Sequence, residues 1–313
     1  MLTFILKRIG SGLVLIFIVT AITFFLTFGV GIPVAQNILG PSASADAIAN
    51  LEAQLGIDRP IMEQYFSWLI GVFHGDLGIS YFTREPVVNA LITRLPVTMS
   101  IVLLSCLITL AISVVLGVAS AARGGWLDKA LQGIATFSYV FPAIILGIVL
   151  VYVFAIALRW VPAIGFVPIS KSVSGWFASV VLPAVVLSIG GIASLAAQLR
   201  GSMIDELNSE YVRSLRARGV SEISILLKHT LRNAASPALT TFSLAFISMF
   251  GASLFVEKIF ALPGFGTYGY TATIQGDLPA MLGVSLFSVG LVVVVNLAVD
   301  LANGWLNPKV RVR

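Results

Sequence analysis

Reactive and charged side chains are scarce in this sequence, and the densest group of cations lies between Tyr211 and Thr240. This stretch carries, with apolar residues between them, Arg213, Arg216, Arg218, Lys228 and Arg232. Cationic side chains on an amphipathic segment bind anionic lipid headgroups or a complementary protein surface. The stretch therefore predicts docking, either to a membrane surface or to a cytoplasmic protein, rather than catalysis.

Other reactive residue types are too sparse to predict a catalytic or metal site. His74 and His229 are far apart in sequence, and the single Cys106 lies in an apolar run. Serines such as Ser138 and Ser188 lie in apolar stretches with no histidine to activate them. The sequence also lacks a Walker A lysine motif. We therefore expect no catalytic residue, no metal site and no cofactor bound by this chain.

The composition is that of an integral membrane protein. Hydrophobic residues make up 58% of the 313 residues and charged residues only 11%, against about a quarter in soluble domains. The net charge of +5 fits cations that flank membrane spans, and no aromatic–basic repeat supports binding to nucleic acid. The apolar run after Lys7 and Arg8 is too long for a signal-peptide core, so we expect a retained first span.

Six apolar stretches are long enough to cross, as helices, a bilayer core about 30 Å thick. They are residues 9–30, 97–119, 131–158, 177–199, 238–256 and 280–302. Prolines and glycines inside them, such as Pro142, Pro183 and Gly190, are tolerated in membrane helices. We predict an all-α integral membrane protein, residues 1–313 forming one transmembrane domain with six spans.

Lysine and arginine are distributed unevenly between the two sides of this topology. The N-terminus, residues 120–130, residues 200–236 and the C-terminal tail hold 13 of the 19. Residues 31–96, on the other side, carry six acidic residues against three basic ones. The positive-inside rule therefore predicts that both termini and the 200–236 loop are cytoplasmic, and that residues 31–96 are extracytoplasmic.

The extracytoplasmic segment has helix signals of its own. Ser44–Leu55 is typical of a short helix ended by Gly56, and Asp58 is a candidate N-cap for the next one. An apolar face at helical spacing is predicted from Ile61, Tyr65, Trp68, Leu69 and Phe73, and a turn from "GDLG" at Gly75–Gly78. The segment is either a cap packed on the spans or a docking surface for an external partner.

Ionisable residues near the spans bear on an alternative function, a secondary ion-coupled carrier of peptides or other solutes. Asp300 and Arg200 lie at span ends and Glu257 just past one, where such side chains reach water or cap a helix. We expect Asn296 to form a hydrogen bond between helices. Carriers of this class need a buried carboxylate or a broken helix pair. Neither is evident, which disfavours the carrier, and no Ser/His or paired-Asp set predicts an intramembrane enzyme.

Capping signals divide the 200–236 loop into two helices. Ser209 precedes a helix beginning at Glu210, and Gly219 lies where a left-handed residue would end it. Ser221 precedes a second helix with Glu222 in its first turn. Its predicted apolar residues are Ile223, Leu226 and Leu227, and Pro237 marks the entry to the fifth span.

This loop resembles the cytoplasmic EAA loop of ABC-transporter permeases, in the form typical of B-type subunits of the dipeptide/oligopeptide/nickel importer family. The residues at matching spacing are Tyr211-Val212-Arg213, Arg216-Ala217-Arg218-Gly219, His229-Thr230-Leu231-Arg232-Asn233-Ala234 and Pro237. Arg213-Ser214-Leu215 stands where the broader pattern has Glu-Ala-Ala, and His229 and Arg232 stand where it has Ile and Pro. The peptide branch shows such departures.

Four further segments resemble the same subunit in the same order along nearly the whole chain. They are "LGIDRP" at Leu55–Pro60, "GDLGIS" at Gly75–Ser80, "EKIFALPGFG" at Glu257–Gly266 and "NLAVDLANGWLNPKV" from Asn296. Five matches in order, with a matching topology, identify the chain as resembling a permease subunit located in a bacterial or archaeal cytoplasmic membrane.

The resemblance implies a set of partners and a set of docking residues. A second, homologous C-type permease would complete the solute pathway, one or two cytoplasmic ABC ATPases would bind ATP and Mg²⁺, and an extracytoplasmic binding protein would deliver the solute. The resemblance implies that the loop couples to the ATPases through Tyr211, Val212, Arg213, Leu215, Arg216, Arg218, Gly219, Val220, Ile223, Leu226, His229 and Arg232. Gly219 would supply the bend between the two helices of the loop. No residue of the solute pathway is assigned.

Overall fold

The computed structural model describes residues 2–126, 128–129, 132–133 and 143–306, and its regular structure there is helical apart from one β-bridge between Ile79 and Pro86. The first five helices are α1 (Leu2–Val30), α2 (Val34–Leu39), α3 (Ala45–Leu55), α4 (Ile61–Phe73) and α5 (Val87–Arg123). The next four are α6 (Ala143–Leu150), α7 (Val173–Leu207), α8 (Glu210–Ala217) and α9 (Glu222–Ser224). The last three are α10 (Leu231–Ile259), α11 (Phe265–Gln275) and α12 (Leu278–Leu306). Wider π-helical turns follow α6 at Val151–Ala157 and α9 at Ile225–Thr230.

Five helical segments in the described residues are long and apolar enough to cross a membrane. They are Leu6–Val30, Val87–Arg123, Val173–Leu207, Glu222–Ile259 and Leu278–Gly304. The third predicted span, residues 131–158, is described in part, as a shorter apolar helix at Ile144–Ala157. Residues 131 and 134–142, with Ser138 and Pro142, and the C-terminal residues 307–313 lie outside the described residues.

The helices extend beyond the apolar stretches that predict them. The second span begins at Val87, ten residues before the predicted boundary, and contains Pro96. The fifth is part of a helix that continues without a break from Glu222 to Ile259 and contains Pro237. That Pro237 marks the entry into the membrane stays a prediction. An apolar stretch locates the part of a helix that lies in hydrocarbon, whereas backbone hydrogen bonds carry the same helix into its polar ends.

Contacts divide the described residues into two units. The first comprises the residues up to Pro96 together with Pro263–Val294. Its core contains Phe24, Tyr65, Leu278 and Leu282, with Trp68 and Leu69 packed against them. The Tyr65 hydroxyl lies 3.2 Å from Thr20 Oγ1, so the aromatic cluster joins α1 to α4 by a polar contact as well as by packing.

The extracytoplasmic segment predicted from sequence is helical, with two corrections. Ser44 accepts a hydrogen bond from the Ala47 backbone N–H, and Gly56 ends α3 in the left-handed conformation, as predicted. Asp58 is not the N-cap of α4, because that helix begins at Ile61 after Pro60, and Gln64 Nε2 donates to the Ile57 and Arg59 carbonyls. The apolar face is shorter than predicted, since Ile61 is exposed and Phe73 is 83% exposed.

The turn predicted at "GDLG" is confirmed. Gly75 and Gly78 have φ angles of +79° and +85°, and the Gly78 N–H donates to Asp76 Oδ1 at 2.8 Å. Glycine is favoured at both positions because positive φ angles of this kind are strained for residues with a Cβ.

The second unit comprises Val97–Leu262 together with the residues from Val295 onward. Its core lies where α7 and α10 pack along each other, at Leu195, Leu199, Met203, Ala234 and Ala238. The predicted helix–helix bond of Asn296 is confirmed, because its Oδ1 accepts from Ser243 Oγ at 2.7 Å. This packing brings the C-terminal end of α7 close to the N-terminal end of α10, and the 200–236 loop connects those two ends.

Candidate partner-docking site

Residues 209–224, here called the docking corner, consist of α8, a turn and α9. Ser209 is the residue before α8, as predicted, and has extended backbone angles. Its hydroxyl does not cap α8, because it donates instead to the Glu206 carbonyl at 2.5 Å. Ser221 likewise precedes α9 without a side-chain cap. The positions at which the two helices begin were therefore predicted correctly, but the predicted capping by the serine side chains was wrong.

The bend of the docking corner is at Gly219, and its predicted left-handed conformation is confirmed by a φ of +75°. The Val220 N–H donates to the Leu215 carbonyl at 3.1 Å and the Gly219 N–H to the Arg216 carbonyl at 3.0 Å. These two bonds form a Schellman motif, which satisfies the last carbonyls of α8 and fixes the direction in which the chain leaves it.

The docking corner is anchored by buried apolar residues and carries exposed cationic side chains. Val212 on α8 and Ile225 just after α9 are fully buried, so they support the corner from inside. Arg213 and Arg218 are exposed, and neither forms an ion pair within the described part of the chain. The docking corner therefore exposes two guanidinium groups that have no ion-pair partner in the described residues, on a backbone anchored by buried side chains.

Arg216, by contrast, is engaged within the loop. Its Nε donates to Glu222 Oε1 at 2.7 Å and its Nη2 to Oε2 at 3.2 Å, across the Gly219 bend. This hydrogen bond lowers the pKa of Glu222 from its ordinary value, while partial burial opposes the effect. Glu222 was expected to act on the dipole of its own helix, and its side chain pairs with α8 instead.

The apolar face predicted for the second helix is displaced. Ile223 is 72% exposed and Leu227 is exposed, whereas Leu226 packs against the core of the second unit. The buried residues are Ile225 and Thr230, five positions apart. That spacing is one turn of the π-helical segment, so a pattern with a period of 3.6 selects the wrong residues. An exposed apolar pair, Ile223 and Leu227, remains beside the cationic surface.

The remaining predicted docking residues differ in exposure. Leu215, Val220 and His229 are half-buried, and Arg232 is exposed near the start of α10. Tyr211 lies at the base of the corner, where its hydroxyl contacts Glu206 and Asn233 rather than pointing away from the protein. The structure brings all the predicted residues into one region, and the docking role of each stays a prediction.

An ion pair that the sequence did not predict lies between the second span and α7. Asp128 forms a salt bridge with Arg200 and accepts hydrogen bonds from Ser120 Oγ and Gln132 Nε2. The hydrogen bond from Arg200 is the largest of the causes that lower the pKa of Asp128. Arg200 was expected to reach water or cap a helix, and it binds a carboxylate instead.

Two carboxylates are buried, contrary to the expectation that none would be. Glu257 is 0% exposed and its Oε1 accepts a hydrogen bond from Thr98 Oγ1 at 2.5 Å. Asp277 is 2% exposed and accepts hydrogen bonds from the Ser80 hydroxyl and the Tyr81 N–H. The prediction that Glu257 reaches water is therefore wrong. Its position at a span end indicated exposure, and its partner is 159 residues away in sequence.

A groove of about 560 Å³ lies in the second unit between α6, α7 and α10. Among the described residues its lining is apolar except for the hydroxyl groups of Ser194, Thr241 and Ser248, and none of these lining residues is charged. Among the described residues, no group of three or more histidine, cysteine or carboxylate side chains is placed to bind a metal ion.

The comparisons with known proteins agree with this architecture. Residues 113–312 match the model of the binding-protein-dependent transport system inner membrane component, and residues 1–102 match that of its N-terminal part. A Brucella abortus protein designated a peptide transport system permease is 36% identical, with 99% of each chain covered. The glutathione transport system permease protein of Escherichia coli K12 is 32% identical, again over 99% of each chain.

A third relative, designated a peptide ABC transporter permease in Sinorhizobium fredii, is 36% identical over 98% of this chain and 99% of its own. The alignments with these relatives cover nearly the whole chain. The five apolar helices, the apolar composition and these matches agree on a multi-pass transport protein of the inner membrane. The chain belongs to the family of binding-protein-dependent transport system inner membrane components, as a permease of the dipeptide/oligopeptide type.

Proposed function

We propose that this chain, with a second, homologous permease subunit, forms the pathway of an ATP-driven importer for peptides or a related small solute. In this proposal the chain crosses the membrane six times and both termini are cytoplasmic. It binds no cofactor itself, since ATP and Mg²⁺ are bound by one or two cytoplasmic ATPase subunits. An extracytoplasmic binding protein delivers the solute.

The observation that carries the proposal is the build of the docking corner. Arg213 on α8 and Arg218 just after it are exposed, Val212 anchors the helix by burial, and the bend at Gly219 fixes the end of the helix. Displacement of such an element by a partner moves the helices attached to it, whereas a flexible loop would absorb the movement. Surface complementarity then predicts an ATPase groove with carboxylates facing the two arginines and an apolar patch facing Ile223 and Leu227.

The peptide class of solute is supported by the designations of the relatives, which include peptide and glutathione permeases. The ion-coupled carrier was disfavoured partly by a lack of buried carboxylates, and Glu257 removes that argument. Family membership now argues against the carrier, because members of this family work with a binding protein.

Reconstitution tests this function directly. Labelled tripeptides, glutathione included, should enter proteoliposomes only when this chain, the second permease, the ATPases, the binding protein and ATP are all present. Uptake by the purified single chain in response to a proton gradient would establish the carrier instead.

Cysteine labelling tests the topology. In a Cys106→Ala background, cysteines at Asp76 and Lys171 should react with an impermeant thiol reagent outside intact cells, whereas those at Lys129 and Arg213 should react only after permeabilisation. All four positions are exposed in the chain, so a lack of reaction reports the membrane and not burial. Labelling at Arg213 from outside would reverse the orientation and end the docking argument.

A further inference from the structure

Three polar side chains meet at the base of the docking corner. Tyr211 Oη donates to Glu206 Oε2 at 2.7 Å, and Asn233 Nδ2 donates to Tyr211 Oη at 3.1 Å. Asn233 Nδ2 also lies 3.4 Å from Glu206 Oε2, which closes the triangle. The three residues come from the last turn of α7, the first turn of α8 and the first turn of α10.

The chemistry of the three groups gives the triangle one arrangement of donors and acceptors. A carboxylate only accepts, an amide nitrogen only donates, and a phenol does both. Tyr211 is therefore the member that accepts from Asn233 and donates to Glu206 at the same time, and it connects α8 to both neighbouring helices. Burial, followed by the hydrogen bond with Glu206, raises the pKa of Tyr211, so the hydroxyl keeps its proton at the pH of a cell.

The triangle differs from the other polar contacts of α8. The Arg216–Glu222 pair joins α8 only to the segment that follows it. Within the described part of the chain, Tyr211 is the residue of α8 whose side chain hydrogen-bonds to both long helices. The backbone at this point is also defined, because the Ser209 hydroxyl and N–H both donate to the Glu206 carbonyl.

We propose that Glu206, Tyr211 and Asn233 form a hydrogen-bonded strut that transmits displacement of α8 to α7 and α10. This inference rests on the proposed coupling function and adds positioning residues to it. Tyr211 then acts inside the chain and does not contact the ATPase. In this arrangement α8 is the element that moves. Arg213 and Arg218 contact the ATPase, and the strut connects α8 to the long helices.

The experiment uses the complex purified by a tag on this chain, with Tyr211→Phe as the main variant. Phenylalanine keeps the ring and removes the hydroxyl that links α8 to α7 and α10. The complex should assemble with its ATPases at the wild-type ratio, and the KM for ATP should be unchanged because nucleotide binds elsewhere. The kcat of binding-protein-stimulated ATP hydrolysis should fall by roughly two- to tenfold, the range expected for one lost hydrogen bond.

Conservative variants distinguish the loss of the strut's hydrogen bonds from a general loss of structure. Glu206→Gln keeps an acceptor oxygen and should retain most of the stimulated rate, whereas Glu206→Leu should match Tyr211→Phe. Combining Tyr211→Phe with Asn233→Leu should cost little more than Tyr211→Phe alone, because the hydroxyl is shared. Tyr152→Phe is the matched control, since Tyr152 is exposed and has no hydrogen-bond partner in the described residues.

The outcomes distinguish failure of the strut from failure of the proposed function. A Tyr211→Phe complex that assembles fully and is stimulated like the wild type overturns the strut and leaves coupling intact. A Tyr211→Phe chain that no longer binds the ATPases also overturns it, because Tyr211 would then be a contact residue. If the wild-type chain purifies without any ATPase, the proposed function fails together with the strut.

Amide hydrogen exchange, measured on the full chain in nanodiscs, tests the strut independently of whether the ATPases bind. Without any partner present, Tyr211→Phe should increase exchange in α8, and Tyr152→Phe should not. Equal exchange in wild type and Tyr211→Phe would mean that the triangle does not order α8, which also overturns the strut.

Discussion

The segment between the first two spans and the docking corner both connect membrane helices, but they are held in opposite ways. The first is fixed by Asp277, a buried carboxylate, and by an aromatic cluster around Tyr65. The second is held by exposed polar contacts and by a glycine bend, and it leaves two arginines without ion-pair partners in the described residues. The comparison teaches that the first region is held by buried contacts, whereas the second leaves charged side chains available for the partner contact proposed above.

The electrostatics of the two regions agree with this division. In the first, burial and then the charge of Asp277 raise the pKa of Tyr81 to about 12, so that the phenol stays neutral. In the docking corner, hydrogen bonding to Arg216 lowers the pKa of Glu222, so that both partners stay charged. Substitutions should accordingly affect stability in the first region and partner-dependent activity in the second.

The largest effect, a loss of thermal stability, is expected from Asp277→Ala. It removes the acceptor for the Ser80 hydroxyl and the Tyr81 N–H, and each buried group left unsatisfied costs about 1–3 kcal/mol. Thermal unfolding in detergent should shift to a clearly lower temperature. Asp76→Ala is the control from the same segment, because Asp76 is exposed and accepts one bond, from Gly78 N–H. Equal melting of the two variants would contradict the assignment of Asp277 as the internal anchor.

The next largest effect, a loss of transport activity, is expected from substitutions of Gly219. Its φ of +75° costs an L-residue roughly 1–2 kcal/mol, and a Cβ there would meet no atom within 4 Å, so strain of the backbone is the whole effect. Gly219→Val should therefore insert and assemble but reduce uptake and stimulated ATP hydrolysis together. Gly219→Ala should be milder and Gly219→Asn mildest, because asparagine tolerates this conformation.

Gly75 provides a matched control for the glycine series. Its φ is +79° and its surroundings are equally open, but it lies in the first region. Gly75→Val should cost similar stability and leave the stimulated ATPase rate per assembled complex unchanged. Wild-type uptake by fully assembled Gly219→Val complexes would contradict the role of the bend and favour a loop that only rests on lipid.

A smaller effect is expected from reversing the free charges of the docking corner. Arg213→Glu or Arg218→Glu should weaken binding of the ATPases by about two- to tenfold, more at low ionic strength than at high. Lys171→Glu is the control for a charge reversal at an exposed position outside the loop. Unchanged ATPase binding together with reduced binding to anionic vesicles would indicate that the arginines contact lipid instead.

Whether a feature could be predicted from the sequence depends mainly on how far apart along the chain the interacting residues lie. The bend at Gly219 and the helix end at Gly56 depend on local backbone geometry, which residue type reports directly. The buried face near Ile225 was missed because a π-helical turn changes the helical period. Such turns have no recognised residue signature in a single sequence.

Long-range polar contacts were missed for a different reason. The partners Thr98 and Glu257 are 159 residues apart, and Asp277 and Ser80 are 197 apart. No periodicity connects such positions, so each carboxylate appeared in the sequence only as a charge near a span end. The helix–helix bond of Asn296 was predictable in kind, because an amide in an apolar span needs a partner, although the partner Ser243 was not.

The smallest effect is expected from the Arg216–Glu222 pair, which tests whether exposed contacts order the docking corner at all. Because the pKa of Glu222 is lowered in the folded loop, the pair contributes order above the ordinary value of 4.5 and loses it as the pH falls below that value. Spin labels at Ala217→Cys and Ile223→Cys, in a Cys106→Ala background, report the distance across the bend. The distance distribution should be narrow near pH 7 and should broaden as the pH falls below 4.5 and through the lowered pKa of Glu222. Glu222→Gln should show an intermediate width that does not change with pH, while Glu210→Gln should respond like the wild type. A distribution that stays equally narrow throughout this titration, and in Glu222→Gln, would mean that the Gly219 turn alone sets the angle. The difference between the two regions would then lie in the backbone and not in surface charge.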